Sequence, residues 1–342
     1  MRPFRFHHIM AAGFALLLLP MPARADVEKT SMALPAVAPI FALEWIAQDA
    51  GIYKEVGLDV AEQMVRGVGA TNAVISGSLD FANSSGSTLT RAVAKDQPII
   101  GIATTYDRTG FWIIVNKKIA DERHFDPKAP LAERAKILKG LRFSVGSLQT
   151  LPHAYLNAVA KIGGLNPDTD IVAAPITLAD TLPAMATGSI DGASIGPPAV
   201  YQALKSGTAV VVADGTTGNP IDPPWLTRID SIVIIARKDT CTARRSVCVK
   251  MGEALVKAAA YMHDRPRESE AIIGKRLNFF EPDALRNMYE VTAESTPRSP
   301  AVSAKGLETA DQLNVDAGFM AADQKLPSYD KLFDNEFVSS AR

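Results

Sequence analysis

S-G-S-L-D-F-A-N-S-S-G, residues 76–86, decides how this chain is read, because a relative of it returns as T-G-S-I-D-G-A at residues 187–193. Set one on the other, Gly77 falls on Gly188, Ser78 on Ser189, Leu79 on Ile190, Asp80 on Asp191 and Ala82 on Ala193. An apolar helical run precedes each copy (Ala73, Val74 and Ile75; Ala184, Met185 and Ala186), and each glycine stands where a helix end needs a left-handed residue. Each copy continues into a short apolar strand and a small-residue loop, Asn83-Ser84-Ser85-Gly86 in the first and Ser194-Ile195-Gly196-Pro197 in the second. Two unrelated turns between helix and strand can share small residues. The constant offset favours duplication of a half-domain.

Outward from the first copy, residues 29–34 and 57–64 read as strands. Between them lie a Pro-Ala-Val-Ala-Pro loop and a helix opened by Pro39, with Ile40, Phe41, Leu43, Trp45 and Ile46 at apolar positions up to a stop at Gly51. Helix 70–76, strand 79–82, helix 87–94 and strand 98–103 follow. Around the second copy the same alternation runs through helix 131–138, strand 141–145, helix 152–162, strand 171–174, helix 179–187, strand 190–194, helix 198–205 and strand 209–213. Strands alternating with helices indicate an open, mainly parallel sheet, here built twice. Two further strand-like runs, 111–116 and 231–237, stand outside the alternation and are read as crossings between the units. Trp45 and Trp112 read as core. Four helical stretches (243–263, 268–277, 282–292 and 303–320) form a tail that returns to the first unit. The fold expected is α/β, with residues 26–107 plus 232–342 as lobe 1 and 108–231 as lobe 2.

The chain has 342 residues, a length that suits two domains of ordinary size. Its first 25 residues read as a secretory signal: Arg2 and Arg5, an apolar run from Ile9 to Leu19 too short to span a bilayer, then Ala23-Arg24-Ala25 and cleavage after Ala25. Of 36 Lys and Arg residues three leave with this segment, against 37 Asp and Glu that stay, so the balance supports neither nucleic-acid nor membrane-surface binding. Cys241 and Cys248 lie close together in the exported part and read as one local disulfide, with a metal site or two free thiols as the alternatives.

Ligands of open α/β sheets bind outside the carboxyl ends of the strands, which points to the cleft between the lobes. In lobe 1 the candidates are Pro35 and Ala36, then Ser84, Ser85 and Gly86, whose backbone N–H groups and hydroxyls converge on a helix start. In lobe 2 they are Ser194, Gly196 and Pro197, where proline removes donors, and Gln149, Thr150 and His153 at a second helix start. Thr105 and Tyr106 end the strand before the first crossing. Arg108 is the cation nearest the expected cleft, suited to a bidentate grip on a sulfonate or carboxylate. Trp225, in a Gly- and Pro-rich loop, is a candidate lid or wall. Each of these types also has an ordinary structural use as a cap, a packed ring or a solvated arginine.

Four ordered motifs, G-I-Y-K-E-V-G-L-D-V (51–60), S-G-S-L-D-F (76–81), K-G-L-R-F-S-V-G-S-L-Q-T-L-P-H (139–153) and A-T-G-S-I-D-G-A (186–193), resemble those of the periplasmic solute-binding proteins of nitrate, sulfonate and taurine ABC importers. The resemblance spans essentially the whole exported chain and includes His153. It implies a two-lobed type II periplasmic-binding-protein fold that closes by a hinge on a small solute and presents it to a membrane permease. The expected solute is a small organic molecule, by preference an anion such as a sulfonate or carboxylate. The expected location is the periplasm, the expected state a monomer, and no cofactor is called for. Pyrimidine synthases of thiamine biosynthesis share the fold and supply the alternative reading as an enzyme, but their cysteine-rich motif has no counterpart here. A sensory binding protein is the third reading. Signatures of metalloproteases, P-loop enzymes, dinucleotide enzymes and α/β hydrolases are not found in the sequence.

Overall fold

The structure is a computed structural model that describes residues 27–218, 222 and 227–339. The expected signal segment and Trp225 lie outside the described residues.

In chain order the strands are β1 (Glu28–Leu34), β2 (Leu58–Met64), β3 (Phe81–Ser85), β4 (Ile99–Arg108), β5 (Trp112–Asn116), β6 (Leu141–Ser144), β7 (Ile171–Ala174), β8 (Gly192–Ile195), β9 (Ala209–Asp214) and β10 (Arg228–Arg237). They form two sheets of five strands, ordered β2-β1-β3-β10-β4 and β7-β6-β8-β5-β9. In each sheet the first three strands pair in parallel, and the crossing strand, β10 or β5, runs antiparallel to both its neighbours. The two orders are one topology used twice, with the crossing strand in the same place. This is the two-lobed α/β architecture expected from the alternation.

The helices that bear on the site are α1 (Ala42–Asp49), α2 (Gly69–Ile75), α3 (Gly86–Val93), α4 (Leu151–Ile162), α5 (Leu178–Ala186), α6 (Ala199–Lys205), α7 (Arg245–Asp264), α8 (Pro266–Arg276), α9 (Pro282–Ser295) and α10 (Ala304–Asp316).

The duplication extends to single hydrogen bonds. Gly77 and Gly188 are left-handed, with φ of 76° and 73°. After them the Ser78 and Ser189 amides both donate 2.9 Å bonds back into the helix, to the carbonyls of Ala73 and Ala184. The same offset carries Asp96 (φ 57°) onto Gly207 (φ 66°). There the Gln97 and Thr208 amides each reach back 3.1 Å, to Ala92 and Ala203.

These caps explain where the strands begin. Strands expected at 79 and 190 start at Phe81 and Gly192, because the Leu79 and Ile190 amides are committed to the preceding helix at 3.2 and 3.4 Å. Asp80 is held outside the ladder by Thr30 Oγ1 at 2.7 Å and the Arg244 guanidinium at 2.9 Å. The second crossing and the strand that precedes the first are longer than read from sequence, while the first crossing, β5, is not. β4 runs on to Arg108 and β10 begins at Arg228, and the two pair over most of their length.

Each sheet is covered on both faces. One face of the first sheet packs α1 and α7 around Trp45, and the other packs around Leu89 and Val233. Alternation along β5 sends Ile113 and Val115 into one cluster of the second sheet and Trp112 and Ile114 into the other. Trp45 and Trp112 are core, as their sequence context suggested. Cys241 and Cys248 are disulfide-bonded, with Cα atoms 5.6 Å apart.

The helical tail departs from expectation. It returns to the first sheet and also reaches the second: Ala310 and Leu313 of α10 share a cluster with Leu151, Ala154 and Ala158 of α4. On α9, Asp283 pairs with Lys205 of α6 at 2.7 Å. A run of small residues on α4 and α10 lets the two helices approach closely, a pattern not tied to one lobe in the sequence.

Candidate functional site

A cavity of about 570 Å³ lies between the sheets, and its walls come from the loops at the carboxyl ends of β1, β2, β3, β6, β7 and β8. Topology places it there: in both lobes the parallel strands point their carboxyl ends at the same space.

In lobe 1, Pro35 and Ala36 form the wall after β1, and Ser84 and Ser85 the wall after β3. Ser85 caps α3, its Oγ accepting from the Thr88 amide at 3.1 Å and lying 2.8 Å from Thr88 Oγ1. Ser84 Oγ lies 2.8 Å from Thr71 Oγ1 on α2. Lobe 2 answers with Ser144, whose hydroxyl donates to the Ile176 carbonyl and lies 3.0 Å from Thr181 Oγ1 on α5. Thr150, Ser194, Gly196 and Pro197 complete that wall, and Tyr106 and Phe111 line the side next to the crossing. Burial holds the Tyr106 phenol well above its ordinary pKa, so it stays neutral.

The remaining sequence candidates stand off the lining. Gly86 lies beneath it: a β-carbon there would meet the Asp230 carbonyl oxygen at 2.2 Å, so the glycine lets α3 pass close to β10. Thr105 is buried in lobe 1. Arg108 turns away to Glu294 at 2.7 Å and to the Thr216 carbonyl at 3.0 Å. Gln149, left-handed at φ 59°, donates its amide to His153 Nδ1 at 3.0 Å and accepts from Arg91 through its carbonyl at 2.9 Å. His153 lies edge-on to Phe319 at 5.0 Å, and burial lowers its pKa. Gln149 and His153 thus lock the start of α4 rather than line the cavity.

A profile of the NMT1/THI5-like family matches residues 38–269. This chain belongs to the NMT1/THI5-like family. No curated protein sequence matches it significantly. Among solved structures it is similar to a protein of Bordetella bronchiseptica RB50, at 20% identity over 92% of this chain and 96% of that one, with a TM-score of 0.75. It is also similar to the alkanesulfonate-binding protein SsuA of Xanthomonas axonopodis pv. citri bound to MOPS (16% identity, 93% and 98% of the two chains, TM-score 0.64). The periplasmic nitrate-binding protein NrtA of Synechocystis PCC 6803 matches at 14% identity over 93% and 88%, with a TM-score of 0.66. At these identities the likeness is one of fold, the periplasmic-binding-protein fold.

Within this NMT1/THI5-like cavity, several lining residues were not singled out from sequence. Asn83 occupies the position in the first copy of the repeat that Ser194 occupies in the second, and both line the cavity. Neither the Asn83 amide nor the Ser194 hydroxyl has a hydrogen-bond partner among the described residues. Among the described residues the lining cations are Arg66 and Arg276. Arg276 is committed to Asp49 at 2.8 Å and Glu62 at 3.0 Å and lies over the Trp45 ring. Burial opposes its charge, but those hydrogen bonds outweigh burial and raise its pKa. Arg66 is exposed; its carbonyl accepts from the Gly69 amide at 3.2 Å, and its guanidinium has no ion pair or hydrogen bond among the described residues. The carboxyl-end rule that selected Pro35 after β1 also selects Arg66, two residues past β2. Phe279 carries no such signal, since it comes from the turn after α8.

Proposed function

We propose that this protein is the periplasmic binding component of an ABC importer, which captures a small organic anion between its lobes and presents it to a membrane permease. The chemistry of the cavity wall carries this reading. Among the described residues the titratable side chains that line it are Arg66, Arg276 and Tyr106, two permanent cations and a phenol kept neutral by burial. Such a wall offers hydroxyls, the side-chain amides of Asn83 and Asn278, and apolar surface for holding a solute. It offers no carboxylate, imidazole, amine or thiol to serve as acid, base or nucleophile near neutral pH. The cavity volume falls in the range of small-molecule sites and is generous for an inorganic anion alone. Sulfonate- and nitrate-binding proteins among the similar folds agree with this use.

In the mechanism, residues 26–107 with 232–342 and residues 108–231 move as two units about the crossings. The crossing segments are tied by backbone bonds from Thr109 to Thr227 and from Gly110 to Gly215. A solute that touches both walls favours the closed arrangement by its differential affinity. The two cysteines, being bonded to each other, offer no thiol to the alternative as a synthase.

A thermal-shift screen of the exported chain against aryl and alkyl sulfonates, aromatic carboxylates, nitrate and pyrimidines tests the reading, followed by mass analysis of the recovered solute. Saturable stabilisation by an organic acid recovered unchanged is the expected result. Recovery of a chemically altered solute would replace capture with catalysis.

A further inference from the structure

Resting on the capture reading, we infer that the solute is a monoanion with an apolar body and a second, uncharged polar end, held with the uncharged end deep at Asn83 and Ser194 and the anion at the mouth against Arg66.

Two buried polar side chains line the bottom of the cavity. Asn83 is 1% and Ser194 3% exposed, and neither polar group is satisfied among the described residues. The hydroxyls around them are already engaged, Thr71 with Ser84 and Ser144 with Thr181. Among the described residues no charged side chain is buried at this depth: of the two lining arginines, Arg276 is 26% exposed and matched by Asp49 and Glu62, and Arg66 is exposed. An anion pushed here would be stripped of water with only neutral donors to meet it, and its charge would face the Asn83 carbonyl oxygen. A neutral group with both a donor and an acceptor, such as a carboxamide or hydroxyl, completes Asn83 and Ser194 without that cost.

Above this floor the walls are apolar, with Phe41, Phe111, Val145, Ile176, Ile195 and Ile232 from both lobes. The mouth is apolar as well: Val37, Met64 and Phe279 line it while 41%, 50% and 46% exposed. Arg66 lies in this rim. Its neighbour Gly67 abuts Ser147, so closure brings the guanidinium to the edge of lobe 2 as well as lobe 1. One unmatched cation beside an apolar rim suits one negative charge on an apolar body.

Four matched probes read the orientation by calorimetry on the exported chain: 4-carbamoylbenzoate, its diamide, its dicarboxylate, and benzoate. The expected order puts 4-carbamoylbenzoate first, with the dicarboxylate and benzoate each weaker by about tenfold, the size of one hydrogen-bonded group. Arg66→Gln should weaken 4-carbamoylbenzoate about twofold to fivefold, as befits an exposed ion pair, and leave the diamide unchanged. Asn83→Leu should erase the preference for the carbamoyl acid over benzoate. Equal affinities of the acid and the dicarboxylate, an Arg66→Gln variant that weakens acid and diamide alike, or no binding by any of the four would overturn the inference. Capture itself stands or falls separately, on the broad screen and on loss of binding when Ser84→Leu fills the cavity.

Discussion

Gly67 of the first lobe lies against Ser147 of the second: a β-carbon on Gly67 would stand 2.9 Å from Ser147 Cβ and 3.1 Å from its hydroxyl. The chain passes through Gly67 with φ of +56°, held by a bond from its amide to the Pro35 carbonyl at 3.2 Å. This contact sits beside Arg66 and Thr150, so it reports directly on how far the walls of the cavity can approach.

Gly67→Ala is therefore expected to cost affinity. Gly188→Ala is its control, left-handed to a similar degree but with open space where the β-carbon would go. Both variants should lose about 1 kcal/mol of stability from backbone strain. In calorimetric titration Gly67→Ala alone should bind a panel acid at least tenfold more weakly; equal affinity in both would remove this contact from closure.

Ser194→Ala and Ser144→Ala should differ in sign. The Ser194 hydroxyl is buried without a partner, so its loss should leave the ligand-free chain as stable or slightly more so, while weakening a solute that completes it. Ser144 bonds the Ile176 carbonyl and Thr181, so its loss should cost about 1 kcal/mol. Denaturant unfolding of the two variants, with and without solute, checks both statements.

Stability should fall as pH rises across neutrality. Glu44 is wholly buried on α1, and burial pushes its pKa up to about 8 from 4.5. Between those values the folded chain holds a proton that the unfolded chain has released, which costs about 1.4 kcal/mol per pH unit until the slope ends near the folded pKa. Asp230, raised by burial to about 7, adds a decline of the same sign. Unfolding measured from pH 5 to pH 8 should be distinctly flatter in Glu44→Gln than in the parent chain. Identical slopes would mean that Glu44 is solvated.

The Cys241–Cys248 bond joins two buried residues at the start of α7. Closing so short a loop is worth about 2 kcal/mol on the chain-entropy model. Replacing both by alanine should lower the midpoint of unfolding accordingly and leave solute affinity unchanged, since neither residue lines the cavity between the lobes.

How much of this was legible beforehand follows from the range of the forces involved. Gly77 and Gly188 could be read as caps because a left-handed helix end is a local event, and the two topologies followed from repeating it. Ser84, Thr150 and Ser194 were readable because residues just past a parallel strand face the cleft wherever the strand ends. Arg108 and Arg66 show the limit. Both are arginines on loops near strand ends, and what separates them is Glu294, far along the chain, which engages one and leaves the other free. Phe279 and the α10 contact with α4 were hidden for the same reason, since the docking of a helical tail depends on surfaces built elsewhere.

The central claim, capture of a solute by closure of two lobes over one cavity, is tested most directly by small-angle scattering of the exported chain with and without the tightest-binding acid of the panel. The expected result is a saturable decrease in radius of gyration that tracks the calorimetric binding curve and is diminished in Gly67→Ala. Tight binding with unchanged dimensions would contradict it.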